Sequence, residues 1–162
     1  MAGDIHVLIV DDEDEFLEAV SERLSMRGFD VTTATNGEAA LEIADSKKFD
    51  LALVDLKMPG LDGQQVLAAL KERHKHLEVI ILTGHGSLDS AVDCTKLGAF
   101  RYLPKPCDIE KLVGTLRDAY ETRIKRKFEA DAERMSRINE IAAGRSPLGI
   151  LRALRELDDD EK

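Results

Sequence analysis

Apolar positions along the chain fall into short runs, separated by longer stretches in which they recur every three or four residues. Ile5–Val10, Leu51–Val54, Glu78–Leu82 and Phe100–Leu103 read as strands, and Phe29–Thr35 alternates and is rich in β-branched residues. Between them, Glu13–Arg27 places Phe16, Leu17, Val20 and Leu24 on one helical face, with Gly28 as the stop. Asn36 caps a helix to Ser46 with Ala39, Ala40 and Ile43 inward, Asp62 caps one to about Arg73, and Ser87–Leu97 ends at Gly98. Asp108 opens a long helix reaching about Ala143. Strand–helix alternation repeated five times predicts a parallel sheet covered on both faces, and right-handed crossovers leave only a few doubly wound topologies.

Ligands of such sheets sit beyond the carboxyl ends of the strands. Asp11, Asp12, Asp55 and Thr83 all fall at those ends, and Lys105 follows the last strand at the same rim. Three carboxylates at one sheet edge are costly without a cation. A carboxylate can attack phosphorus to give an acyl phosphate, which makes Asp55 the expected nucleophile. Mg²⁺ prefers about six oxygens, some of them water. Asp12 and Asp55 would supply two, the backbone carbonyl of Lys57 a third and the phosphoryl group another, while Asp11 would hold a metal-bound water. Lys105 offers a point charge to a phosphoryl oxygen and Thr83 a hydroxyl donor. Phosphoryl transfer is mostly positioning and electrostatic stabilisation, so this set suffices without a further general base.

Composition narrows the classes. Of 162 residues, 43% are hydrophobic and only 4% aromatic, so the core is aliphatic. The net charge is −9, and Glu121–Lys162 holds ten bases and ten acids, so residues 1–120 carry all of it. An acidic body argues against broad nucleic-acid binding. No run approaches the ~20 apolar residues of a membrane span. Cys94 and Cys107 lack metal-motif spacing and read as free, unreactive thiols. With no leader-like start, the chain is expected to be cytoplasmic and not membrane-bound.

The segments VDDE (10–13), LALVDLKMPGLDG (51–63), ILTGHG (81–86) and AFRYLPKP (99–106) together resemble the receiver domain of bacterial two-component response regulators, over about residues 4–120. The resemblance implies a flavodoxin-like α/β fold with strand order 2-1-3-4-5. It implies phosphorylation of Asp55 by a histidine kinase or phosphotransfer protein, with Mg²⁺, and a cis peptide at Lys105–Pro106. It also implies a switch in which Thr83 moves toward the phosphoryl group and Tyr102 turns inward. That changes the face of the fourth helix, fifth strand and fifth helix toward a downstream protein. Arg101 and Cys107 depart from common family residues at that face. Lys57 and His85, two residues beyond Asp55 and Thr83, flank the attacking water's path in the family.

Each residue also has a plainer reading. Asp11 and Asp12 suit a helix N-cap, Asp55 or Thr83-Gly84 a turn, Lys105 a solvated lysine, Tyr102 a core aromatic, and His74, His76 and His85 a solvated surface. As a whole, the chain has two rival readings. An aspartate-nucleophile phosphatase of the haloacid dehalogenase group wants a second Asp where Lys57 stands, and a dimerising scaffold would leave the pocket vestigial. Residues 121–162 form a helical extension in which Ile124, Phe128, Met135, Ile138 and Ala142 fit heptad positions around Asp131. They predict a helix that pairs with another, through which the chain would form a homodimer, or one folded back on its own domain. Gly144–Pro147 is expected to break it. Pro147–Leu157 would be an amphipathic helix with Leu148, Leu151, Leu154 and Leu157 on one face, and Asp158–Lys162 a frayed acidic end. The basic group Arg123, Lys125, Arg126 and Lys127 is followed by acids and reads as a solvated face. No helix–turn–recognition-helix pattern is present, so no direct DNA binding is expected.

Overall fold

The computed structural model describes residues 4–143 and 147–160. Strands β1 (Ile5–Val10), β2 (Phe29–Ala34), β3 (Leu51–Val54), β4 (Glu78–Thr83) and β5 (Arg101–Pro104) form one parallel sheet in the order β2-β1-β3-β4-β5. The helices are α1 (Asp14–Ser25), α2 (Gly37–Ser46), α3 (Gly63–Arg73), α4 (Leu88–Lys96), α5 (Ile109–Ala142) and α6 (Pro147–Asp160). The fold is the doubly wound, flavodoxin-like architecture that the alternation and the resemblance imply.

Central strands are apolar on both faces because both are covered. Leu8, Val10, Ala52, Val54, Val79 and Ile81 pack with α2, α3 and α4 residues such as Ala40, Val66, Leu67 and Cys94. Val7, Ile9, Leu51, Leu53, Ile80 and Leu82 pack on the other side with Leu17 and Leu24 of α1 and Leu112, Val113 and Leu116 of α5. Each such side chain contributes roughly 1.5–3 kcal/mol by leaving water, which is why the strands read as continuous apolar runs.

The helix starts are set by local hydrogen bonds. Asn36 accepts from the Ala39 N–H, Asp62 and Gln65 form a reciprocal capping box, and Ser87 and Ser90 form another. Helix α1 is capped by Met26, and Gly28, at φ +89°, turns the chain into β2 where the stop is expected.

The chain divides into two compact units, residues 1–123 and 124–162. In the first, Asp50 anchors the edge opposite the carboxyl ends. Its side chain accepts from the His6 N–H at 2.9 Å and pairs with Arg123 at 3.4 Å. In the second, Arg134 of α5 pairs with Asp158 of α6. Helix α6 forms where the amphipathic pattern predicts it; along it Ala153 is buried and Leu154 and Leu157 are half-buried, whereas Leu148 and Leu151 are exposed. Asp158 and Asp159 belong to the helix rather than to a frayed end. Of the expected break at Gly144–Pro147, residues 144–146 lie outside the described residues, as do Glu161 and Lys162, and Pro147 begins α6. No helix among the described residues is long and apolar enough to cross a membrane.

Candidate functional site

Register brings the acids together. Val10 pairs with Val54, so Asp11 and Asp55, the next residues, leave the sheet side by side, and the Asp55 N–H donates to the Val10 carbonyl at 2.9 Å. Ile81 lies opposite Val54, which sets Thr83 just beyond the acids at the end of β4. Thr83 pairs with Pro104, and the Lys105 N–H donates to the Thr83 carbonyl at 2.9 Å, delivering Lys105 to the same rim. The Lys105–Pro106 peptide is cis.

Carboxylate oxygens of Asp11, Asp12, Glu13 and Asp55 all lie within 4.8 Å of one another. Asp11 and Asp55 are 1% and 2% exposed, whereas Asp12 and Glu13 face solvent. Asp11 is not a helix cap. One of its oxygens accepts from the Glu13 N–H at 2.9 Å and the other takes the Lys105 ammonium at 2.5 Å. Burial above all holds the Asp11 carboxyl above its ordinary pKa. The Lys105 hydrogen bond, the Glu13 N–H and the Lys105 charge oppose this, and the nearby Asp55 charge adds to it. An all-oxygen acidic cluster of this kind fits a hard divalent ion, which would relieve the crowding.

Asp55 accepts from the Leu56 N–H at 2.9 Å, which orients its carboxylate. The loop after it is held closed by Gly63, whose N–H donates to the Leu56 carbonyl at 2.8 Å. A Cβ at Gly63 would stand 2.3 Å from the Asp55 carbonyl oxygen. Thr83 is buried and its hydroxyl accepts from the His85 N–H at 3.0 Å. Lys57 and His85, both exposed, line a cleft beside the acceptor with Met58, Gln64, Gly86 and Ser90. His74 lies away from it, 3.1 Å from Asp45.

Three features of the site escape the sequence reading. Glu13 joins the acid cluster, and its place directly after Asp11-Asp12 was the available signal. Phe16 lies under Lys105, with the ammonium 4.0 Å from its ring centroid, one turn after the acids. Tyr102 is tied to the α4 cap: its hydroxyl is 2.7 Å from Ser90 Oγ and accepts from the Ser87 N–H at 3.2 Å. Only the fold brings those three residues together.

Residues 7–117 match the family model of the response regulator receiver domain. The chain belongs to this family. Receivers of two-component systems are phosphoacceptors rather than classical enzymes, and they bind Mg²⁺ at an acidic pocket. This receiver is 42% identical over 113 residues to the DNA-binding transcriptional regulator NtrC of Escherichia coli (strain K12), a match that covers 70% of this chain and 24% of NtrC. The chain thus spans about a quarter of that relative's length. Its fold is similar to that of a CheY-like receiver domain protein from Methanospirillum hungatei, with TM-score 0.75, 27% identity, and 76% of this chain and 99% of that one covered. It is also similar to the CheX–CheY–BeF₃–Mg²⁺ complex of Borrelia burgdorferi, with TM-score 0.68, 28% identity, and 72% and 89% covered.

Proposed function

We propose that this receiver is a phosphorylation-dependent switch in which Asp55 accepts a phosphoryl group from a histidine kinase or phosphotransfer protein. The observation that carries the reading is the meeting of Asp11, Asp12 and Asp55 with Lys105 at one strand edge, with Asp55 oriented by the Leu56 N–H. Asp12, Asp55 and the Lys57 carbonyl would hold Mg²⁺, and Asp11 would support it through a water. When bound, the ion neutralises charge on the transferring group. Lys105 and the Thr83 hydroxyl take up the remaining phosphoryl oxygens. Tyr102, joined to the α4 cap, passes the change at Thr83 to the surface of α4 and β5, where a downstream protein reads it. The chain contributes to its own phosphorylation and dephosphorylation, with no separate catalytic base.

Incubation with phosphoramidate and Mg²⁺ is expected to add one phosphoryl group to the intact chain, by mass spectrometry, and none to Asp55→Asn. Labelling of Asp55→Asn at normal stoichiometry would refute the assignment.

In the unit of residues 124–162, Phe128 is 72% exposed, and Ile124 and Met135 are also exposed. These residues support association of the extension with a second copy. Light scattering with and without beryllium fluoride and Mg²⁺ tests this: a monomer in both conditions would refute it.

A further inference from the structure

Lys105 is held by more than one neighbour. Its side chain is 14% exposed, its ammonium lies 2.5 Å from Asp11 and 3.6 Å from Glu13, and the Phe16 ring centroid is 4.0 Å away. A lysine ammonium is a point charge on a flexible stem, so a single carboxylate fixes it poorly. Asp11 is also a shared partner. It belongs to the acid cluster, and a cation entering there competes with Lys105 for the same carboxylate. Glu13 is largely exposed and its attraction is screened by solvent. The Phe16 ring is different. It is set in α1, half-buried against the core, and no cation in the acid cluster neutralises its quadrupole. Beyond the ammonium it borders an apolar cleft with Val20, Pro106, Ile109 and Leu112. An aliphatic residue would serve that packing equally well; only an aromatic face serves the ammonium.

We propose that Phe16 is a positioning residue for the phosphoryl-transfer site, acting through Lys105. Its ring keeps the ammonium at the rim when Asp11 turns to the cation, so Lys105 is in place for the phosphoryl oxygen. The role rests on the reading of Asp55 as acceptor. A residue that only filled the core between α1 and α5 would show no preference for an aromatic ring and no dependence on Lys105.

Phosphoramidate labelling with Mg²⁺ tests this, because so small a donor does not need the apolar cleft. Phe16→Leu is expected to be labelled roughly five- to tenfold more slowly than wild type, the range set by a largely desolvated cation–π contact. Phe16→Tyr is expected to stay within about twofold of wild type, since it keeps the ring. In a Lys105→Met background, Phe16→Leu is expected to change the rate by less than about twofold. Wild-type speed in Phe16→Leu, no rescue by Tyr, or an undiminished effect without Lys105 would each overturn the role. A second readout is independent of labelling. In Mg²⁺-free protein the Lys105 Hε resonances are expected upfield from the ring current, and at ordinary positions in Phe16→Leu. Ordinary positions in wild type would also overturn it. Absence of labelling in wild type, with the upfield shift present, would instead overturn the acceptor reading and with it the function assigned to the contact.

Discussion

Replacing Gly86 by Ala perturbs the receiver at one defined contact. The new Cβ would stand 2.4 Å from the Tyr102 hydroxyl oxygen, 3.1 Å from its Cε1 and 3.2 Å from its Cζ. The backbone has little room to retreat, because the next residue, Ser87, caps α4. The ring must therefore swing away. It then loses the hydroxyl's contacts with Ser90 and the Ser87 N–H, each of about 1 kcal/mol, and exposes part of a half-buried aromatic surface, about 1 kcal/mol more. Stiffening of the unfolded chain returns about 0.5–1 kcal/mol. The net expectation is a loss of about 2 kcal/mol, read in urea unfolding followed by far-ultraviolet circular dichroism, with a fall in Tm of about 6 °C. The chain has only two tyrosines, so aromatic NMR should show Tyr102 alone changing. The decisive comparison uses Tyr102→Phe, which removes the atom in closest conflict. In that background Gly86→Ala should cost at least about 1 kcal/mol less. Equal cost in both backgrounds would refute the assignment of the penalty to this contact.

Two further outcomes follow from the titratable groups. Burial raises the Asp11 pKa, so its charged form opposes folding above that value and the penalty is relieved as pH falls through it. Asp11→Asn should therefore raise Tm at neutral pH in EDTA and gain less than wild type from Mg²⁺; a lower Tm in EDTA would mean that the Lys105 pair outweighs burial. Burial also pushes both thiols up, with the nearby Asp93 adding at Cys94 and the Lys111 charge partly opposing at Cys107. In a thiol-exchange assay at neutral pH, Cys94 should react only after unfolding and Cys107 more slowly than a free thiol, and prompt modification of Cys94 in the native chain would contradict this.

The sheet and its rim were legible because one physical pattern encodes both. Val10 and Val54 end runs that must be buried, and the residues after them are carboxylates, so the strand ends and the acid site coincide. Lys105 was readable as a rim residue, but its partners were not: Asp11 lies 94 positions away in sequence and Phe16 sits on a helix read only for its apolar face. The Tyr102 latch was hidden for the same reason, since Ser87 and Ser90 look like ordinary capping residues.

Gly63 has a consequence for how this receiver tolerates sequence drift. It begins α3, closes the loop through the Leu56 carbonyl, and leaves no space for even a methyl group beside the Asp55 main chain. Every amino acid reachable from a glycine codon by one base change carries a Cβ, so no single-step missense change is sterically neutral there. Position 63 should behave in a saturation library as a near-complete barrier, although it has no chemistry of its own. Loss at such a position would report on the path of the acceptor's backbone rather than on the reaction.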